Sequence, residues 1–420
     1  MTDPVPTPAA TAPRSYALWL ILLAAGGTFA VTMGARQSMG LFLNTLNTST
    51  GLGLASISLA FAFGQLWWGL TQPFAGMVAD RVGPGRVLFV GVLLVALGTF
   101  LVPFMTTTGG LIFAIGVLSA GGAGMAGPSV LMAATTRLVP VERRGIATGI
   151  VNAGGSFGQF VFVPIAQGIT AAAGWVAGVQ GLALLSLLAL PAAWVLRGRR
   201  APAALAGVTA PAAAPKETTR EAIRRAVRDP SFRLLSAGFF VCGFHVAFIA
   251  THLPGVVAAC QLPPSVGAWA LAIVGLFNIV GSFGIGWAMG RWRFKSLLSI
   301  IYAVRGLAVL GFLLAPKTEA VVLIFAAVIG VTYLSTVPPT AGLVAKFFGP
   351  AHMATLFGVI MLSHQIGGFS GAFFGGKAFE WTGSYDWMWY VDIMLAVGAA
   401  LVHLPIREAL PKARPLAVAA

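Results

Sequence analysis

The sequence predicts an all-α integral membrane protein whose twelve transmembrane helices form two pseudo-symmetric six-helix bundles. Three observations lead there. Of 420 residues, 58% are apolar and only 9% charged, whereas a soluble domain carries about 25% charged residues. Apolar stretches of the length a bilayer core demands, about 20 residues, recur twelve times. The longest break between them, 197–231, divides them six and six.

Composition sets the class by elimination. A soluble chain this apolar has too few charges to clothe its surface, and the hydrophobicity excludes a disordered one. Two cysteines in 420 residues exclude a disulfide scaffold. The spans lie at 17–43, 54–78, 87–106, 110–136, 145–172 and 175–196, then 232–258, 264–289, 296–315, 319–346, 353–379 and 386–406. The organisation expected is a disordered tail 1–16, a bundle 17–196, a linker 197–231, a bundle 232–406 and a tail 407–420. The first apolar segment is too long, and its flank too poor in positive charge, for a cleaved signal peptide. The last third of the linker, with Glu221-Ala-Ile-Arg-Arg225, reads as a basic amphipathic helix on the membrane surface.

Orientation follows from charge. Twelve spans put both termini on one side, and the excess of Lys and Arg marks the cytoplasmic side. With the N-terminus cytoplasmic, 22 of the 26 cations fall in cytoplasmic segments, among them Arg81, Arg86, Arg137, Arg143, Arg144, Arg291, Arg293 and Lys295. The outer loops hold Lys317 and Lys377. The net charge of +15 is thereby spent on topology and anionic headgroups, and no nucleic-acid partner is expected. The location expected is the cell inner (cytoplasmic) membrane, multi-pass, both termini cytoplasmic.

The halves repeat. Gly34-Ala-Arg36 in span one lies over Gly243-Phe-His245 in span seven at a displacement of 209 residues. Gly149 and Gly158 in span five lie likewise over Gly358 and Gly367 in span eleven. Gly76-Met-Val-Ala-Asp80-Arg81-Val-Gly83-Pro-Gly85-Arg86 after span two has a weaker counterpart, Gly286-Trp-Ala-Met-Gly290-Arg291-Trp-Arg293, after span eight. Parallel duplication of six helices is a transporter architecture.

The loop after span two is the most specific signal. Gly76-x3-Asp80-Arg81-x-Gly83-x2-Arg86 resembles the motif Gly-x3-Asp-Arg-x-Gly-Arg-Arg/Lys of the major facilitator superfamily, with Gly85 and Arg86 shifted by an inserted proline. Here Gly76 is expected to let two helices approach closely. Asp80 is expected to cap a helix end or pair with an arginine of the other half, latching a cytoplasmic gate. The run Gly367-Gly-Phe-Ser-Gly-Ala-Phe-Phe-Gly-Gly-Lys-Ala-Phe-Glu380-Trp-Thr-Gly383-Ser-Tyr385 is similar to the Gly-rich close of span eleven in monocarboxylate transporters and oxalate:formate antiporters. Arg36-Gln-Ser-Met-Gly-Leu-Phe-Leu is similar to the same group's Gly-x-Phe-x-Pro stretch, without its proline. The resemblance implies the major facilitator fold, with spans one, four, seven and ten lining a central cavity, five and eleven flanking it and nine peripheral.

Intramembrane ionisable groups are functional candidates by default. The acids all fall in cytoplasmic loops or near outer ends, Asp392 included, so no carboxylate is expected at mid-depth on a cavity-lining helix. That weighs against an exporter of lipophilic cations. His245, Arg305 and His364 lie about 14–20 Å along their helices, near the middle of a core about 30 Å thick. Arg36, over His245 in the repeat, is expected in the same layer, facing it. A guanidinium holds a carboxylate bidentately; histidine can bind substrate, carry a proton, or both. The alternatives are snorkelling to the outer surface for Arg36, a satisfied interior histidine for His364 and a structural partner such as a backbone carbonyl for Arg305. Tyr333, Asn278, Gln65 and Gln159 are further polar cavity candidates, which a helix interface would equally accept. His364 also falls near the span-eleven lysine that the resemblance to oxalate:formate antiporters marks as a dianion ligand.

Two departures matter. Monocarboxylate transporters carry an Asp/Arg pair one turn apart in span eight, where this chain has Asn278-Ile-Val-Gly-Ser282. Drug:proton antiporters carry Gly-Pro in span five, where Gln159 follows Gly158 here. The function expected is secondary active transport of a small organic anion, a mono- or dicarboxylate, by alternating access. Proton coupling and exchange both fit. The alternative is a proton-coupled exporter of drugs or other amphipathic molecules. No cofactor, metal site or enzymatic set is expected, nor a partner protein; the chain is read as a monomer.

Overall fold

The computed structural model describes residues 15–139, 144–197, 218–349 and 353–408. Both tails beyond these residues, most of the linker, and Arg143 lie outside that description. Every regular element among the described residues is helical. The helices are α1 (Ser15–Ser38), α2 (Leu54–Val82), α3 (Pro84–Leu101), α4 (Thr108–Met132), α5 (Arg144–Ser186), α6 (Thr219–Arg228), α7 (Pro230–Ala259), α8 (Pro264–Met289), α9 (Phe294–Leu314), α10 (Glu319–Thr332), α11 (Met353–Thr382) and α12 (Asp386–His403).

Ten helical segments are long and apolar enough to cross a membrane, not the expected twelve. The difference has two sources. One segment runs over Ala147–Val195, 49 residues, and contains a break at Gly174, whose φ of 86° and ψ of 167° are not helical. The expected fifth and sixth spans are joined there through a single left-handed residue, which glycine adopts without a Cβ clash. The expected twelfth, α12, carries Asp386, Asp392 and His403 within 18 residues, so it is the least apolar of the set.

Helix ends follow ordinary capping chemistry. Gly83, at φ 94°, both ends α2 and starts α3, with Pro84 in the first turn where its missing N–H costs nothing. Asp229 caps α7 by accepting from the Phe232 amide at 2.9 Å, again with proline in the first turn. Thr218 and Glu221 form a reciprocal capping box on α6. That helix buries Ala222 and Ala226 and exposes Arg220, Arg224 and Arg228.

In lipid, helices associate through close packing of small residues rather than through water exclusion. The tightest approaches repeat between the halves. A Cβ on Gly158 of α5 would collide with the Ala30 carbonyl of α1, and one on Gly367 of α11 with the Phe240 carbonyl of α7. One turn away, Gly154 abuts Gly26, while Ser363 donates to the Ser236 carbonyl at 2.9 Å. The sequence repeat thus recurs as a repeated contact between equivalent helix pairs. Gly76 is a correction: an added Cβ there meets nothing within 4 Å, so it serves no close approach in this structure. The Asp80 side chain lies outside the described residues; Arg81 and Arg86 are exposed.

Gly367→Leu is expected to cost at least the 1–3 kcal/mol typical of overpacking, read as lower thermal stability or lost membrane insertion. Gly168→Leu, where nothing lies within 4 Å of an added Cβ, is the matched control. Equal stability of the two variants would remove the packing role.

The exterior is apolar. Phe283, Leu314, Trp381, Trp194 and Leu307 are all more than two-thirds exposed, which suits hydrocarbon and not water. By contrast α7 is buried over most of its length, packing against α8, α11 and α12.

At one end, Glu408 ties three segments together. It accepts from the Phe294 and Lys295 amides at 3.2 and 3.1 Å, capping α9, and pairs with Lys346 at 2.5 Å. Burial pushes its carboxyl up, but the Lys346 ammonium and the two amides outweigh that and hold it below the ordinary 4.5. A depressed carboxyl contributes stability above its unfolded value and loses it as pH falls through its folded value. The stability gap between wild type and Glu408→Gln is therefore expected to be full at neutral pH and to close on acidification below about pH 4.5. A gap independent of pH, in detergent-solubilised thermal melts, would remove the charge pairing.

Candidate functional site

A cavity opens where α1 meets α2, α4 and α7. Arg36 and Gln37 reach it from α1, Phe61 and Gln65 from α2, Ser119 from α4 and Thr251 from α7. Its room for water centres is ≈ 40 Å³, enough for about three waters. The Arg36 guanidinium lies over the Trp68 ring, 5.0 Å from its centroid, a cation–π contact that leaves its N–H fork unspent. Among the described residues no carboxylate pairs with it. Tyr333, from the end of α10, lies within electrostatic reach of Arg36 and hydrogen-bonding reach of Gln37. Arg36 is thus held inside the protein, and the snorkelling alternative does not describe it.

Unsatisfied polar atoms gather around the same helices. The Gln65 Oε1, Trp68 Nε1 and both amide atoms of Gln365 are buried without a hydrogen-bond partner among the described residues. Gln365, on α11, packs its side chain against Gly69 of α2. A buried polar group left unpaired costs about 1–3 kcal/mol, so this arrangement is built to receive something polar.

The remaining candidates separate. His245 does not face Arg36: its Nε2 lies 2.9 Å from Oδ1 of Asp392 on α12. Asp392 is 2% exposed, a buried carboxylate beside a mid-span histidine, so the expected absence of one is corrected. In low dielectric an imidazole facing an acid gains more than one facing a guanidinium. Arg305, also 2% exposed, donates Nη2 to the carbonyls of Thr332 and Tyr333. Those carbonyls are released where α10 ends and a second segment, Val337–Phe348, begins ahead of Pro338 and Pro339. The backbone-carbonyl alternative is the one found, and Arg305 does not line the cavity.

His364 packs its ring 4.9 Å from Phe239 and lies near Cys242, away from the cavity lining. Gln159 donates to the Leu271 carbonyl at 2.8 Å. Asn278 donates to Ser156 Oγ at 2.7 Å and accepts from the Leu334 amide at 3.0 Å. Both amides are spent joining α5 to α8, so they serve the helix interface. Tyr333 donates its hydroxyl to the Val246 carbonyl at 2.9 Å. Of the eight candidates, the structure brings Arg36, Gln65 and Tyr333 together. It adds Gln37, Thr251 and Gln365, polar residues inside apolar spans whose signal was their adjacency to Arg36, His252 and His364.

The family model of the Major Facilitator Superfamily matches residues 18–372, and again 261–417. The chain belongs to this superfamily. Among major facilitator proteins, monocarboxylate transporter 13 of Rattus norvegicus is 24% identical over 92% of this chain and 89% of its own length. The oxalate:formate antiporter of Oxalobacter formigenes is 27% identical over 36% of this chain and 35% of its own. The fujikurins efflux protein of Gibberella fujikuroi is 23% identical over 92% and 82%. In three dimensions the D-xylose–proton symporter superposes with a TM-score of 0.68 at 15% identity, covering 94% of this chain and 97% of that one. The major facilitator fold and the group the sequence resembles therefore both stand.

Proposed function

We propose that this major facilitator protein is a secondary transporter of a small organic anion, a mono- or dicarboxylate, across the cytoplasmic membrane by alternating access. The observation that carries the reading is Arg36: a cation inside the protein, in a cavity, with its fork unspent and no described acid to pair with. A guanidinium so placed selects a carboxylate, which it can hold bidentately. The unpartnered Gln65 and Gln365 amides and the Tyr333 hydroxyl supply further polar contacts. Counting the two arms either side of Gly174 as separate spans, and α12 as the last, gives twelve helices in two halves with both termini cytoplasmic. The glycine contacts that pair α1 with α5, and α7 with α11, are the surfaces each half would keep as it rocks. The names of the monocarboxylate and oxalate:formate relatives point the same way.

The second reading, an exporter of amphipathic compounds, is favoured by the fungal efflux relative. The cavity weighs against it, with room for only a few waters. The deciding experiment is a thermal-shift panel of pyruvate, lactate, formate and oxalate on purified protein, with a lipophilic cation as comparison. Stabilisation by an acid and none by the cation is expected. The opposite pattern selects the exporter.

A further inference from the structure

We propose that His245 and Asp392 together form the proton site of this transporter, binding one proton for each monocarboxylate carried. The proposal rests on the anion-transport reading above, and it supplies the coupling that reading leaves open.

The geometry is that of a closed acid–base pair. His245, 5% exposed, and Asp392, 2% exposed, meet at 2.9 Å through Nε2 and Oδ1. The same ring nitrogen lies 3.3 Å from the Asp392 carbonyl. Apart from this ring, no donor among the described residues meets Oδ1. A carboxylate inside the membrane is costly and is retained where it pairs or relays protons. A purely structural partner would be arginine, charged at every pH. Here the partner is imidazole, the side chain that ordinarily gains and loses its proton near neutrality. The other titratable or charged groups on the elements packed around the pair are Cys242 and His252 on α7, Tyr302 and Arg305 on α9, and Tyr333 after α10. His364 on α11, His403 on α12 and Arg36 on α1 complete them. Among the described residues none forms an ion pair with either member.

Charge bookkeeping then couples the proton to the substrate. With a neutral imidazole the pair carries one negative charge, and one added proton makes it neutral. Arg36 carries one positive charge, and a bound monocarboxylate makes that site neutral. Arg305, held by its carbonyls, contributes the same in every state. The empty form and the form bearing both anion and proton therefore carry equal charge. A form bearing only one of them differs by a full unit, which low dielectric penalises. Only the empty and doubly loaded forms are free to switch access. The two sites share a helix: Ala250 and Thr251 line the cavity, about 8 Å along α7 from His245 at 1.5 Å per residue.

The test uses full-length protein in liposomes and two readouts. The first needs no substrate: an infrared pH titration of the reconstituted protein. A carboxyl band that titrates in wild type is expected to vanish in Asp392→Asn, to shift in Asp392→Glu and to move its midpoint in His245→Gln. The second is uptake of labelled pyruvate, lactate or formate. Asp392→Asn is expected to lose accumulation driven by an inward-acid pH gradient by tenfold or more while exchange against internal substrate persists. Undiminished gradient-driven accumulation, or a titration unchanged in all three variants, overturns the proposal. If wild type carries none of the probes, the carboxylate reading fails while the infrared titration still decides the proton site. If Asp392→Asn does not fold, Asp392→Glu carries both readouts.

Discussion

Arg36→Ala is expected to abolish stabilisation by carboxylates in thermal-shift assays and to lower uptake by about 100-fold, the equivalent of about 3 kcal/mol for a lost charge-assisted contact. The reasoning starts from what the guanidinium lacks. It stacks on Trp68 at 5.0 Å and has no described acid to satisfy it, so a bound anion is the partner that completes it. Because no protein bond is broken, the unliganded variant is expected to melt close to wild type. Arg36→Lys keeps the charge but loses the planar fork and the stacking; an intermediate loss is expected. An Arg36→Ala protein that inserts normally and still takes up carboxylate at the wild-type rate would take the anion site away from this residue.

Arg305→Ala is expected to act on stability, by about 3–5 kcal/mol, the range for breaking a buried charged network. Arg305 is buried beneath α10 and its Nη2 serves two backbone carbonyls, Thr332 and Tyr333. Those carbonyls lose their helical partners where the chain breaks before Val337–Phe348. Removing the guanidinium leaves both unpaired in a dry interior. The variant is expected to yield little folded protein, with whatever survives melting well below wild type. Arg305→Lys, one point donor in place of a fork, is expected to recover part of the loss. Unchanged melting with lost anion binding would instead make Arg305 a ligand. Arg36 and Arg305 are thus expected to fail in different assays.

How much of this was legible beforehand differs by residue. Apolar runs of helix length read directly as helices, because a span must satisfy its own backbone bonds. The repeat was legible too: Gly158 and Gly367 were paired by displacement alone, and both prove to be contact points against the equivalent helix. The depth of a side chain along its axis was recoverable from the helical rise. Its azimuth was not. His245 was placed at the right depth and given the wrong neighbour, since helical periodicity says nothing about which of several surrounding helices a face meets. Asp392 was set at the outer end by its place in the chain, yet α12 carries it inward to meet α7. Gln159 and Asn278 looked like cavity groups because a polar side chain in an apolar span has two uses, ligand or interface, that composition does not separate. Gly76 shows the converse: a motif glycine beside which the structure leaves open space.

The sequence by itself determined the membrane class, the helical content and the superfamily. Each is set by quantities that sum along the chain: apolar length, charge distribution and local motif spacing. Only the tertiary structure decided which buried groups are free to do chemistry. An arginine at mid-depth is a ligand or a brace according to whether another element brings it a partner. For Arg305 a broken α10 brings two carbonyls, and for His245 α12 brings a carboxylate. For Arg36 no described acid arrives. A buried charge must be neutralised or solvated wherever it ends up, so the missing partner, which no single helix encodes, is what marks the site.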